Sequence, residues 1–251
     1  MTSIRMARYA GWSAYGSAAA GVSGSLLVLA VFILDARVGD LVTPLGIASM
    51  VELLALLPVA LVLHQFNRAR APTLSRLVLA IGLVGLLVAA SLQALFVARA
   101  VPLEHQASLS MTAFGLIGLW LLVGNQLGRS HRILPARLAW LGAVLGAGQL
   151  VALVSFVIIA AVAPGPGGGT PQDTGGYVLR GRGFVGVSST PVSASPRSPA
   201  PNDPLLIGAI LGAGTGGLLW WVAHPVWTIW LGRLLVSARR ITASPGPARP
   251  T

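Results

Sequence analysis

Glu52 is the one charged side chain set well inside a long apolar stretch of this chain, and it is the natural starting point for any chemistry. It lies about 12 Å, or eight helical residues, from the outer end of the stretch 44–66. A carboxylate at that depth costs roughly 3 kcal/mol on insertion scales unless it is protonated, paired or wetted, so its default reading is a proton or cation site. Gln93 is the expected neighbour, because positions 52 and 93 lie almost symmetrically about a turn near residue 72 and therefore at similar depth. The sequence thus predicts that neutral Glu52 hydrogen-bonds Gln93, or that ionised Glu52 meets Arg99 reaching inward from the outer interface. Gln149, near the middle of a later apolar stretch, reads as an interhelical hydrogen-bonder and a third member of the polar set.

Two histidines lie within apolar stretches and could in principle hold haem or a metal. His224 falls about 13 Å above the boundary marked by Arg233, whereas His64 sits near the inner end of its stretch, so their depths do not match. No metal and no cofactor is expected. No Ser, His and Asp arrangement suggests nucleophilic catalysis, and no catalytic residue is assigned.

The elements that would position these groups are six apolar stretches, near 13–34, 44–66, 77–98, 109–128, 138–162 and 205–236. Each is long enough to cross about 30 Å of hydrocarbon as a helix, and nothing alternates with the period of barrel strands. The fold class expected is therefore all-α, a polytopic membrane helix bundle with six transmembrane helices. Residues 1–12 form a short tail ahead of five closely connected helices over 13–162. Residues 163–204, rich in Pro, Gly and Ser, read as a disordered outer loop, with a hairpin over 177–187 as the alternative. The sixth helix spans 205–236 and a tail covers 237–251. Pro58 should bend the second helix, and His224-Pro225 should interrupt the last one.

Of the 251 residues, 55% are hydrophobic and 9% charged, which excludes an ordinary soluble domain. All 17 basic residues are Arg, and zero Cys excludes disulfides and thiolate metal sites. Short-loop arginines set the orientation. With a cytoplasmic N-terminus, the inner face collects Arg5, Arg8, Arg68, Arg70, Arg76, Arg129, Arg132, Arg137, Arg233, Arg239, Arg240 and Arg249. Both termini are then cytoplasmic, and Ala18 to Ala20 precede the most apolar part of the first stretch, so no cleaved signal peptide is expected. The net charge of +11 is spread over several connections, which suits anionic lipid headgroups at the cytoplasmic face and not nucleic acid.

Small residues recur at helical spacing and predict close helix packing. Ser17 and Gly21 stand in a row with Ser13 and Ser25. Gly142 and Gly146 form a second row, and Gly208, Gly212 and Gly216 a third. These rows serve either packing within the bundle or a homo-oligomer formed through the first or last helix. Gln65, Arg68, Arg76, Leu77 and Gly85 recur 61 residues later as Gln126, Arg129, Arg137, Leu138 and Gly146. Shared constraint on an inner turn explains this repeat as well as duplication does.

The segment 119–148, with Gly124, Leu134-Pro135, Leu138 to Gly142 and Gly146, resembles uncharacterised bacterial six-helix membrane proteins of the domain-of-unknown-function kind, such as the 4386 family. Pro225 to Trp227 and Trp230 to Gly232 add to the likeness. It implies a bacterial plasma (inner) membrane protein and transfers no functional residue. The leading expectation is a non-enzymatic multi-pass membrane protein of unknown activity, either a small transporter-like component using Glu52 as a proton or cation site or a membrane-organising one in which Glu52 is structural. The alternative is a non-catalytic accessory or sensor protein acting through packing and its outer loop, with a membrane-embedded enzyme behind both.

Overall fold

In hydrocarbon every backbone N–H and C=O must find its partner within the protein, which leaves this apolar sequence one solution, the α-helix. The computed structural model describes residues 2–34, 38–101, 103–162, 177–179, 184–186 and 204–237. Within the expected outer loop only 177–179, 184–186 and 204 are described, and the first two pair as the alternative hairpin does; disorder over the rest of 163–203, and the tail after 237, lie outside the described residues. Among the described residues there are seven helices: α1 (Thr2–Leu34), α2 (Val38–Ala55), α3 (Leu57–Asn67), α4 (Pro72–Val97), α5 (Leu103–Ser130), α6 (Ala136–Val162) and α7 (Pro204–Ser237). Two three-residue strands, β1 (Tyr177–Leu179) and β2 (Phe184–Gly186), pair antiparallel with Val178 opposite Val185.

Among the described residues, Ile4–Ala30, Thr43–Asn67, Pro72–Val97, Leu109–Ser130 and Ala136–Ile159 are long and apolar enough to cross a membrane, and the 34-residue α7 completes six spans. The chain is a helical, multi-pass membrane bundle. Its α1 starts at Thr2, so the residues ahead of the first apolar stretch extend that helix.

The spans form a closed ring in chain order. Helix α1 packs on α2, α2 on α4, α4 on α5, α5 on α6, α6 on α7, and α7 returns to α1. Closure depends on missing side chains. A Cβ on Gly118 would stand 2.8 Å from the Gly146 carbonyl, and one on Gly216 would stand 2.7 Å from that of Gly148. A Cβ on Gly232 would meet the Gly11 carbonyl at 2.9 Å, locking α7 to α1. The small-residue rows are thus used between helices of one chain at Gly21, Gly142, Gly146 and Gly216. The surroundings of Gly208 and Gly212 lie outside the described side chains.

Proline acts differently in the two places the sequence pointed to. At Pro58 the second span does not merely bend but splits into α2 and α3, with Leu56 in a turn between them. Pro58 has no N–H for the Leu54 carbonyl and sits in the first turn of α3, where no donor is required. The N–H of Leu56 bonds the Leu53 carbonyl at 3.1 Å, and Ser13 of α1 donates its hydroxyl to the Ala55 carbonyl at 2.5 Å.

At His224-Pro225, by contrast, α7 runs unbroken where an interruption was expected. The carbonyl that Pro225 deprives of a partner belongs to Trp221, and Ser25 of α1 reaches it at 3.2 Å while also lying 2.9 Å from its own Gly21 carbonyl. Thr228 adds a hydroxyl bond to the His224 carbonyl at 2.9 Å. A Ser25→Ala variant should therefore lose about 1 kcal/mol of stability. In a Pro225→Ala background, where an N–H again serves Trp221, that loss should shrink, and equal losses in both backgrounds by thermal unfolding would sink this account.

One end of the ring is basic. Arg5, Arg8, Arg68, Arg70, Arg76, Arg129, Arg132, Arg137 and Arg233 are all exposed there. Trp12, Trp140 and Trp230 are exposed near the same end, and the Arg129 guanidinium lies 4.6 Å above the Trp140 ring centre. The two turns related by the 61-residue repeat touch, since Arg70 donates to the His131 carbonyl.

Candidate functional site

Glu52 projects from α2 into the ring and is buried. Its partner comes from α7: Nδ1 of the fully buried His224 lies 2.8 Å from Glu52 Oε1. The two atoms are at ion-pair distance, but the ring N–H is not aligned for a regular hydrogen bond. Helices α2 and α7 share no extended interface, so this contact bridges the ring between helices that otherwise hardly meet.

The expected partners lie elsewhere. Gln93 is placed beside Gly46, its Oε1 3.9 Å from where a Cβ on that glycine would stand. Gly46 precedes Glu52 by six residues, or about 9 Å of helix. Arg99 ends α4 in a left-handed conformation, φ 56°, with its side chain exposed. Adjacent hairpins favour equal depth by connectivity alone, and ring closure adds a contact that connectivity does not contain. Gln149 lies on α6 and donates from Nε2 to the Gly216 carbonyl of α7 at 3.1 Å, so it belongs to a different interface from Glu52.

Three features shape the Glu52–His224 pair. Gly21 of α1 backs the carboxylate, for a Cβ there would stand 2.9 Å from Oε1 and 3.2 Å from the carboxyl carbon. Trp220 stacks on the imidazole with ring centres 4.2 Å apart and planes within 6°. Phe114 of α5 meets Trp220 edge-on at 5.4 Å, and Trp227 lies on the other side of His224 at 6.2 Å. Trp227 then donates to Asn125 Oδ1 at 3.3 Å, while Asn125 Nδ2 bonds the Leu121 carbonyl.

Proton counting shows why this pair can respond. His224 Nε2 is buried and meets no hydrogen-bonding partner among the described residues. When the acid donates its proton to Nδ1, or when carboxylate faces imidazolium, the pair is neutral and Nε2 carries a proton that meets no acceptor among the described residues. Removing that proton relieves the unpaired donor but leaves a net negative charge in the bundle interior. Each state carries one defect, and an unpaired buried donor and an uncompensated buried charge are both costly.

Sequence reasoning missed two contributors and read a third, Gly21, only as a packing residue. Asn125, completely buried in α5, was legible as a polar residue inside an apolar stretch. Trp220 carried no signal as a stacking partner, and the row containing Gly21 announced close packing without naming Glu52 as what it backs, since stacking and close backing are properties of the assembled ring. A second polar cluster stands toward the basic end, where His64 Nδ1 lies 2.8 Å from Ser75 Oγ. No known family model, curated protein or solved structure matches this chain, so its site is read from geometry alone.

Proposed function

We propose that the protein is a small transporter-like membrane component in which Glu52 is a proton site and His224 its partner. The observation that carries this reading is the buried 2.8 Å contact between them across the ring. A proton fits better than a metal cation. Hard cations take about six oxygen ligands, whereas among the described residues no group of three His, Cys, Asp or Glu gathers. Gly21 also closes one side of the carboxylate, and aromatic rings close the imidazole side. Protonation changes the net charge of a contact joining α2 to α7, so proton binding and helix movement share one element.

The same proposal places the protein in a bacterial plasma membrane with both termini cytoplasmic. The basic end with its exposed Trp side chains supports this orientation and suits anionic headgroups. A second reading, an accessory or sensor protein acting through its outer loop, draws support from the β1–β2 ribbon, whose short strands could pair with a partner.

Purified protein in vesicles with an imposed pH gradient tests the first reading. The gradient should decay faster with wild type than in empty vesicles. Glu52→Gln and His224→Gln should each slow the protein-dependent part about tenfold, equivalent to about 1.4 kcal/mol in the barrier. Equal decay in wild type and folded Glu52→Gln would remove the proton-site reading and leave the accessory one.

A further inference from the structure

The cluster at His64 encloses a small cavity that the proton-site reading does not use. It has a volume of about 10 Å³ as space for the centre of a water-sized sphere, and His64, Asn67, Ser75, Trp120 and Gly124 line it. Asn67, the last residue of α3, is buried, and its Nδ2 donates to the Leu63 carbonyl at 2.9 Å. That bond fixes the orientation of the amide and leaves Oδ1 as a buried acceptor that no donor among the described residues reaches. Trp120 supplies a donor, since its Nε1 lies 4.0 Å from the position of a Cβ on Gly124. Ser75 Oγ lies 2.8 Å from His64 Nδ1 and 3.2 Å from the His64 carbonyl.

We propose that this cavity, between Asn67 Oδ1 and Trp120 Nε1, is a binding site for a single water molecule. The volume matches one water, which needs at least about 10 Å³ measured this way and two to four polar partners. The water accepts from the indole N–H and donates to the amide oxygen, satisfying the group that the protein leaves unpaired. Gly124 keeps the space open, and its role here differs from close helix packing, for a Cβ at that position would meet nothing nearer than Val78 Cγ1 at 3.8 Å. The site holds whether or not Glu52 handles protons.

Gly124→Ala tests it, because the methyl group fits sterically and occupies the cavity. If the cavity is dry, the substitution fills a void and improves helix propensity, and the Tm should rise. If a water is displaced, Asn67 Oδ1 is stranded, and the Tm of protein in detergent should fall by about 3 °C. In an Asn67→Leu background, which has no acceptor to strand, Gly124→Ala should leave the Tm unchanged or raise it. Asn67→Val, which also has no acceptor to strand, serves as the background if Asn67→Leu cannot be isolated. A rise in both backgrounds overturns the proposal in favour of a dry void, and an equal fall in both overturns it in favour of steric strain.

Discussion

Gly146→Leu should abolish accumulation of folded protein, with a loss of at least about 3 kcal/mol, at the upper end for overpacking. A Cβ at position 146 would press on the Gly118 carbonyl and on the backbone of Leu122, all fixed atoms of α5. Side chains can rotate away from a new methyl group, but backbone atoms of a helix cannot. The contact is reciprocal, since a Cβ on Gly118 would stand 2.8 Å from the Gly146 carbonyl. Helices α5 and α6 would therefore have to separate along their crossing, and α6 in turn holds α7 through Gly148 and Gly216. In a ring, one displaced interface is carried to the others until closure fails. Gly16→Leu is the control, because nothing lies within 4 Å of a Cβ there. The measurement is the yield of monodisperse, detergent-solubilised protein. Equal yields for Gly146→Leu and Gly16→Leu would show that the α5–α6 crossing does not govern folding.

These interfaces show which parts of the fold were legible in the sequence. Apolar length and arginine placement mark the spans because hydrocarbon imposes length and excludes charge, and both constraints act on each segment separately. Small-residue rows at Gly142 and Gly146 announce a close crossing, but they do not name the opposite helix. Pairing is a property of the closed ring. The same limit explains Glu52. Its depth, about 12 Å from the outer end, and that of His224, about 13 Å from the inner one, differ by only about 5 Å in a 30 Å core. That agreement was available from residue counts alone. Sequence proximity points instead to the hairpin neighbour Gln93 for Glu52, and depth within the bilayer core is the better guide. Proline effects were half legible, since a missing N–H can be read from the sequence. Whether the orphaned carbonyl is rescued, as Trp221 is by Ser25, depends on a helix 196 residues away.

Glu52→Ala should cost about 3 to 5 kcal/mol, because breaking one side of a buried ion pair leaves the other without compensation. His224→Ala should cost a similar amount, and the two losses should not add. A double variant, Glu52→Leu with His224→Phe, removes both polar groups while keeping volume and the stacking surface beneath Trp220. It should recover most of the stability lost in either truncation, since apolar replacement of a buried pair is often neutral or stabilising. Gly21 provides an independent check on the geometry. Gly21→Ala crowds the carboxylate in wild type but should be tolerated, or even stabilising, in Glu52→Ala, where the space behind the new methyl is open. Additive losses throughout the cycle, measured by thermal unfolding in one detergent, would mean that Glu52 and His224 do not act as a unit. The apolar double variant also separates structure from function. A pair kept only to hold α2 against α7 could be replaced without consequence once folding is restored. A pair kept for its proton leaves the double variant folded and unable to dissipate a pH gradient. Retention of two costly polar groups where Leu and Phe would pack as well is then explained by the proton they share.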